Sequence, residues 1–433
     1  MLKKGTTYLW LALLLSGTVA AIADDGDSGD GGGSGKTRIV GQANTPCPNA
    51  QYTTIAAAVS AADSGDVIAI CPALYPEQLI ITKPLTLRGI EVNGIKRVLL
   101  QPSLVDLLGL PTEAVITVMN TKGVTIQDLA IDASHNTVSG CSPGVAGVHF
   151  FNASGTVKNS AIFGGQLASP LSCTTLPFGN GFGIRVDANQ PGPFTISVKN
   201  NSIHDYTANG VQVNGACAAC AQPTAITAEI AGNTVSGVGP AGGIFQFAVF
   251  ILNGAVGHIT NNVLTEGLCG SVAISDCINE RSEGVTLRAV GDGTVVDGNV
   301  ITNAQSGIFI NGANRLRVTN NQIRNIDAMS GMDIQATASG FFTNSVITGN
   351  SIFNVGPIDQ NASNNFEGCG INEASGTGTV SGNEISQNTV NDAFCGVAHV
   401  TADNVEAGVY LNTLYTELNS DLFPNAYPPA VEP

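Results

Sequence analysis

The residues best suited to chemistry occur in short runs that each follow a glycine. Six such runs alternate apolar and polar residues: Gly147-Val-His-Phe, Gly183-Ile-Arg-Val, Gly210-Val-Gln-Val, Gly284-Val-Thr-Leu, Gly307-Ile-Phe-Ile and Gly331-Met-Asp-Ile. Because successive residues of a strand face opposite sides, the second and fourth residues after each glycine are predicted to point outward. These positions hold His149, Phe151, Arg185, Asp187, Gln212, Asn214, Thr286, Arg288, Phe309, Asn311, Asp333 and Gln335.

Charged and amide groups in these runs suit the recognition of sugar hydroxyls and carboxylates. A lyase acting on a uronic-acid polymer needs a base that removes a proton beside the carboxylate and a cation that stabilises the resulting charge. The candidate catalytic residues are Arg185, Lys199, His204 and Arg288. The candidate substrate-binding residues are Asp187, Gln212, Asn214, Asn311 and Asp333.

The densest group of these residues lies within 183–215. We predict that an acidic sugar binds there through Arg185 and Lys199, because cations can hold a carboxylate. The alternative is a solvated strand face. On such a face Arg185–Asp187 or Lys199–Asp205 would form exposed ion pairs, each worth about 0–1 kcal/mol.

The sequence does not support a metal or cofactor site. Asp187 and Asp333 could bind calcium or act as acids, but no calcium-binding motif surrounds them. His204 is followed directly by Asp205, and adjacent strand residues point to opposite faces. We therefore predict no metal and no cofactor.

The elements that must position these residues repeat along the chain. The step from Gly284 to Gly307 is 23 residues, and the step from Gly307 to Gly331 is 24 residues. A coil of that length holds about three short strands joined by turns, which is the geometry of a parallel β-helix. A second repeated signature is an asparagine close before an aliphatic residue, and we predict that these amides form a hydrogen-bonded ladder between coils. Its members are Asn159, Asn201, Asn233, Asn262, Asn299, Asn321, Asn350 and Asn383.

The chain is predicted to comprise four segments. They are a signal peptide (1–23), an acidic linker rich in Gly and Ser (24–36), a β-helix domain (37–420) and a Pro-rich tail (421–433). Two lysines, an apolar stretch and Ala21-Ile-Ala23 are typical of an exported protein that is cleaved after Ala23. We expect a secreted or periplasmic protein without a transmembrane segment.

Ten cysteines fit such an oxidising compartment. Sequence alone does not fix their connectivity. Pairing each cysteine with its nearest neighbour gives Cys47–Cys71, Cys141–Cys173, Cys217–Cys220, Cys269–Cys277 and Cys369–Cys395.

The charge balance excludes one class of partner. The chain has 17 Lys and Arg residues against 33 Asp and Glu residues, a net charge of −16. Nucleic-acid binding needs clustered cations, so we predict no nucleic-acid partner. We expect a monomer, with extracellular polysaccharide as the candidate partner.

The N-terminal part carries a family resemblance. A helix is predicted over Tyr52–Ala62, followed by the motifs Gly65-Asp-Val-Ile, Tyr75-Pro-Glu and Pro84-Leu-Thr-Leu-Arg-Gly. Together with the repeats, these motifs resemble the pectin-lyase-like right-handed parallel β-helix proteins. The resemblance implies an all-β, single-stranded, right-handed solenoid with an N-terminal capping helix. It also implies relatives among polysaccharide lyases, galacturonan hydrolases, pectin esterases, alginate epimerases and surface proteins.

The catalytic signatures of those enzymes do not occur in this sequence. The Asp-Asp pair of the hydrolases occurs only as Asp24-Asp25, in the linker, and the Trp-Ile-Asp-His run of pectate lyases is absent. Two functions therefore stand side by side. One is binding or cleavage of extracellular polysaccharide, with a lyase favoured among reactions. The other is a non-catalytic surface or envelope β-helix for adhesion or structure.

Overall fold

The computed structural model describes most of the chain between Gly35 and Glu417. The described residues are 35–43, 45, 47–94, 97–105, 109–110, 112–138, 143–167, 180–216, 225–238, 245–267, 282–327, 329–336, 340–356, 368–375, 378–393, 395–401 and 409–417. The predicted signal peptide, nearly all of the predicted linker and the predicted Pro-rich tail lie outside them. Among the described residues, no helix has the length and apolar character to span a bilayer.

Parallel strands from successive coils stack into three long arrays, which we call stacks 1, 2 and 3. Stack 1 comprises β1 (Thr37–Val40), β2 (Val67–Ile70), β5 (Thr86–Gly89), β8 (Val124–Gln127), β11 (Gly155–Lys158), β14 (Phe194–Lys199), β17 (Ile226–Ala231), β20 (Val256–Thr260), β23 (Val295–Asp297), β27 (Arg317–Thr319), β31 (Val346–Thr348), β35 (Glu384–Ala393) and β37 (Val409–Glu417). Stack 2 comprises β3 (Leu74–Tyr75), β6 (Leu99–Leu100), β9 (Ala130–Asp132), β12 (Ala161–Phe163), β15 (Ser202–His204), β18 (Thr234–Ser236), β21 (Val263–Thr265), β24 (Val300–Ala304), β28 (Gln322–Ile326), β32 (Ser351–Val355) and the second half of β35.

Stack 3 carries the glycine-led runs. It comprises β4 (Leu79–Ile81), β7 (Thr112–Met119), β10 (Gly144–Phe151), β13 (Gly181–Asp187), β16 (Asn209–Asn214), β19 (Gln246–Leu252), β22 (Ser282–Arg288), β25 (Ser306–Asn311), β29 (Met332–Ala336), β33 (Cys369–Ser375) and β36 (Cys395–Thr401). A small sheet contains β26 (Ala313–Asn314), β30 (Phe341–Thr343) and β34 (Thr379–Ser381). The chain visits stacks 3, 1 and 2 in turn, and parallel crossovers of this kind are right-handed. The molecule is therefore a right-handed parallel β-helix, as predicted.

One short helix, α1 (Ile55–Ala61), follows β1. Thr54 Oγ1 accepts a hydrogen bond from the Ala57 N–H at 3.3 Å, and the Glu77 carboxylate accepts bonds from the first two helical N–H groups, each at 2.8 Å. These acceptors satisfy donors that a helix start leaves unpaired. The helix is shorter than the predicted Tyr52–Ala62, and its role as an end cap stays a prediction.

The glycine that leads each run of stack 3 is required by close packing. A Cβ built on Gly147 would lie 2.3 Å from Ile162 Cγ2, and a Cβ built on Gly183 would lie 2.4 Å from Ile203 Cγ2. The lack of a side chain, rather than a positive φ, therefore explains these glycines. In the coil of β19 the same register position holds Ala248 instead of a glycine.

A ladder of buried asparagines runs through the coils, as predicted. Each Nδ2 donates to the Oδ1 of the next member at 2.8–3.0 Å, through Asn201, Asn233, Asn262, Asn299, Asn321, Asn350 and Asn388. Two predicted members were wrong. Asn159 has a φ of 52° and leaves the ladder position to Ser160, while Asn383 bonds to the Ser345 N–H and the Phe342 carbonyl at a different corner.

One predicted disulfide is confirmed, between Cys47 and Cys71. Cys369 is also disulfide-bonded, and it lies opposite Cys395 in the strand register. The other predicted pairs, Cys141–Cys173, Cys217–Cys220 and Cys269–Cys277, lie outside the described residues.

Candidate functional site

The outer face of stack 3 aligns one side chain from each coil. His149, Arg185 and Gln212 are direct register partners on β10, β13 and β16. The same column continues through Phe250, Thr286, Phe309, Asp333 and Asn372. The predicted outward positions are thus correct. The predicted solvation of this face is wrong for its central column, because His149, Thr286 and Phe309 are all buried.

A connected polar group on this face surrounds Asp187, and we call His149, Arg185, Asp187 and Asn214 the Asp187 cluster. Arg185 donates from Nε to Asp187 Oδ2 at 2.5 Å and from Nη2 to Oδ1 at 3.3 Å. His149 Nε2 lies 3.2 Å from Asp187 Oδ2, and Asn214 Nδ2 donates to Oδ1 at 3.4 Å. Three successive coils therefore contribute to one carboxylate.

The cluster is partly buried and electrostatically matched. The side chain of Asp187 is 11% exposed and that of Arg185 is 16% exposed. Burial alone would raise the pKa of Asp187, but the charge of Arg185 and the contact with His149 outweigh it and hold that pKa at about 2. The Asp187 carboxylate is therefore ionised at neutral pH, and Arg185 neutralises it.

Further amides extend the cluster along the rim where the strands of stack 3 end. Asn253 donates from Nδ2 to Asn214 Oδ1 at 2.9 Å, so a hydrogen-bonded chain runs from Asn253 through Asn214 to Asp187. On the neighbouring coils, Asn152 donates to Asn189 Oδ1 at 2.8 Å. Asn152 and Asn253 have φ values of 51° and 55°, a left-handed conformation that asparagine adopts more readily than most residues.

Several buried polar atoms on this face have no hydrogen-bond partner among the described residues. They include Thr117 Oγ1, His149 Nδ1 and Asn209 Oδ1. Thr117 and His149 are register partners on adjacent strands, so two of these atoms lie on neighbouring coils. A buried polar group without a partner costs about 1–3 kcal/mol, and such groups call for a functional or solvent-based explanation.

Two predicted site residues lie on other faces. Lys199 is on β14 of stack 1, and its Nζ lies 2.8 Å from Glu229 Oε2 rather than near Asp205. His204 is on β15 of stack 2, where its ring stacks on Phe163 at 5.1 Å. The structure therefore places Lys199 and His204 on other stacks than Arg185, and Lys199 is paired with Glu229 there.

The neighbours His204 and Asp205 do pair, contrary to the alternation argument. His204 Nδ1 lies 2.8 Å from Asp205 Oδ2. Asp205 follows the end of β15 and has a φ of 56°, so strand alternation no longer applies to it.

The remaining predicted residues of stack 3 lie farther along the same face. Arg288 and Asn311 are register partners, and Arg288 lies over the ring of Phe309 at 5.1 Å. Asp333 accepts hydrogen bonds from Asn372 at 3.1 Å and from Gln335 at 2.8 Å. Asp333 lies five strands from Asp187, about 24 Å at the usual strand spacing, so the two carboxylates cannot share one cation.

The sequence argument missed the residue that precedes each glycine. This position also faces outward, and it holds Phe182, Asn209 and Glu283 in three of the coils. Arg185 lies over the Phe182 ring at 4.7 Å, and Asn209 donates to Gln212 Oε1 at 3.1 Å. The register pairs on either side of the glycine are Ala146–Phe182 and Val148–Ile184, with none at the glycine itself, so simple alternation does not extend across it.

A second buried pair of titratable groups belongs to the core. The Tyr206 hydroxyl donates to Glu266 Oε1, and Gln246 Nε2 donates to the Tyr206 carbonyl at 2.8 Å. Burial raises the pKa of both Tyr206 and Glu266 well above their usual values. Tyr206 packs within the main hydrophobic core, so this pair is a structural contact.

Comparison with known proteins identifies the fold. No family model matches the sequence, and no curated protein matches it. The GH136 lacto-N-biosidase from Eubacterium ramulus is 12% identical with a TM-score of 0.54, over 88% of this chain and 68% of that one. The A-module of mannuronan C-5 epimerase AlgE6 from Azotobacter vinelandii is 13% identical with a TM-score of 0.45, over 83% and 93%. The alginate lyase from Paenibacillus sp. strain FPU-7 is 15% identical with a TM-score of 0.42, over 80% and 96%.

Proposed function

Since this chain has the pectin-lyase-like right-handed parallel β-helix fold, we propose that it binds extracellular carbohydrate at the rim where the strands of stack 3 end, around the Asp187 cluster. The observation that carries the proposal is the Asp187 cluster, in which three successive coils direct polar side chains to one partly exposed carboxylate. A glycan lying across the coils would meet a new set of donors and acceptors about every 4.8 Å. Sugar hydroxyls both donate and accept hydrogen bonds, as this set requires.

The comparisons lend support at the level of fold. One neighbour with a TM-score above 0.5 is named a lacto-N-biosidase, which is a carbohydrate-active enzyme. A shared fold does not transfer an activity, so the Asp187 cluster carries the argument.

Cleavage of the bound glycan has weaker support than binding. A lyase needs an available cation for the uronate carboxylate, and Arg185 already holds Asp187. A glycosidase needs two carboxyl groups about 5 to 9.5 Å apart. Asp187 and Glu283 lie three strands apart in stack 3, about 14 Å at the usual strand spacing.

Export is proposed on two grounds. The N-terminal residues have the pattern of a cleavable signal peptide, and the Cys47–Cys71 disulfide fits an oxidising compartment. We propose a secreted or periplasmic monomer.

A non-catalytic role in adhesion or surface structure is the second candidate function. One observation favours it: Arg185, His149 and Asn214 all direct polar atoms to Asp187, so the groups of the cluster largely satisfy each other. A self-satisfied polar network also occurs in purely structural contexts.

A glycan microarray followed by calorimetry separates the two functions. We expect the mature protein to bind at least one polysaccharide, and Asn214→Ala to weaken that binding about tenfold, because one hydrogen bond to a charged or polar group is worth about 1.4 kcal/mol. The matched control is Asn354→Gly, which removes an exposed amide of stack 2 that donates to Asn325 at 3.0 Å. Failure of the parent protein to bind any glycan would reject carbohydrate binding and favour the structural role.

A further inference from the structure

We infer that the ligand of the Asp187 cluster is a neutral glycan and not a polyuronate. The inference rests on the proposed carbohydrate binding and names the class of sugar. It reverses the expectation from the sequence, in which Arg185 and Lys199 hold an acidic sugar.

The cation of the cluster, Arg185, is already paired with Asp187. Two donors of Arg185 contact the two oxygens of Asp187, and the guanidinium lies over the Phe182 ring. A uronate carboxylate would have to compete with Asp187 for Arg185 at a site that is largely buried. Breaking one partly buried ion pair to form another gives no net gain in charge pairing.

The outer face of stack 3 carries more acidic than basic residues. Within the strands of stack 3, the lysine and arginine residues are Arg185 and Arg288. The outward positions carry three acidic residues, Asp187, Glu283 and Asp333. The chain as a whole carries a net charge of −16, which repels a polyanion before contact.

The other two candidate residues, Lys199 and His204, lie on stacks 1 and 2. Lys199 pairs with Glu229 on stack 1, and His204 pairs with Asp205 on stack 2. Both side chains lie on strands of other stacks, and each already has an acidic partner there. Arg185, Lys199 and His204 are close in sequence, but they lie on three different stacks.

Beyond Arg185 and His149, the polar groups that adjoin the Asp187 carboxylate are uncharged side-chain amides. Asn253, which is exposed, and Asn214, which is half-buried, form one hydrogen-bonded chain with Asp187. Amides carry no charge and offer both donors and acceptors. These groups match the hydroxyls of a neutral sugar better than they match the row of carboxylates on a polyuronate.

The experiment compares neutral polysaccharides with polyuronates of similar length, using affinity electrophoresis at 20 mM and 300 mM NaCl. We expect the parent protein to bind at least one neutral glycan with an affinity that changes less than twofold between the two salt concentrations. Binding that is restricted to polyuronates and weakens with salt would overturn the neutral-glycan inference while leaving carbohydrate binding intact. Binding to neither class would reject both.

A charge-release variant makes the test sharper. Asp187→Asn frees Arg185, so we expect its neutral-glycan affinity to fall about tenfold and its polyuronate affinity at 20 mM NaCl to rise at least threefold. The double variant Arg185→Gln/Asp187→Asn removes both charges and so leaves no unpaired charge in the cluster. It replaces the single variant if Asp187→Asn alone proves unstable, and it should bind no polyuronate. Asp205→Asn is the matched control on stack 2 and should bind as the parent does. Unchanged polyuronate affinity in a folded Asp187→Asn protein would contradict the inference.

Discussion

The asparagine ladder and the Asp187 cluster are both rows of polar groups that cross the coils, but they differ in composition and exposure. The ladder repeats one residue type through Asn201 to Asn350 and ends at Asn388, and all of its members are buried. The cluster uses a different residue on each coil and is partly open to solvent. Repetition of one amide satisfies the backbone of every coil alike, whereas a mixed set creates one local environment that occurs once.

This difference separates the residues that hold the solenoid together from those that can recognise a ligand. A ladder amide contributes two accepted and two donated hydrogen bonds, as at Asn262, so none of its capacity is left for a ligand. The cluster, in contrast, contains His149 Nδ1, which has no partner among the described residues, and its Asp187 and Asn214 side chains are partly open to solvent.

The largest expected effect is on the ladder. In Asn262→Ala, the Asn233 N–H and Nδ2 groups lose their acceptor, Asn262 Oδ1. The Ile230 carbonyl and Asn299 Oδ1 lose their donor, Asn262 Nδ2, so several buried groups are left without a partner. We expect the free energy of unfolding to fall by about 3–5 kcal/mol, measured by chemical denaturation. Asn354→Gly removes an exposed amide of stack 2 that donates to Asn325, and it should cost less than about 1 kcal/mol. Equal losses in the two variants would erase the distinction between buried and exposed amide rows.

A middle-sized effect is expected in the cluster, and it should depend on pH. The pKa of Asp187 is lowered from 3.8 to about 2, so its stabilising contribution is present above pH 3.8 and is lost as the pH falls through about 2. We expect Asp187→Asn to lower the free energy of unfolding by about 2 kcal/mol at pH 7. The difference between parent and variant should shrink toward zero between pH 4 and pH 2. A difference that stays constant over that range would show that the charge of Asp187 does not stabilise the fold.

The smallest effect is expected on stack 1. Lys199 and Glu229 form an exposed pair at 2.8 Å, with side chains 39% and 49% exposed. Lys199→Ala should change the free energy of unfolding by less than about 1 kcal/mol and leave glycan binding unchanged. A loss of binding in this variant would return Lys199 to the site and contradict the separation of faces described above.

The sequence argument succeeded where residues repeat and failed where the chain bends. The outward positions of Arg185 and Gln212 followed from strand alternation, and the register confirms them. His204 and Asp205 were predicted to diverge, but Asp205 adopts a left-handed conformation that turns its side chain toward His204. The coil with Ala248 in place of glycine escaped the repeat pattern, so Phe250 was missed on the face it shares with Gln212.

The sequence by itself determined the solenoid, its strand alternation and most of its asparagine ladder. These features arise from local periodicity and from contacts that recur in every coil. Only the tertiary structure decided which charged residues meet. Residues 185 and 199 are close in sequence but belong to different stacks, while Asp187 and His149 are 38 positions apart and touch. In a β-helix, neighbours in space are separated by a whole coil, and inserted loops make that distance vary, so the spacing of charges along the chain does not predict their pairing.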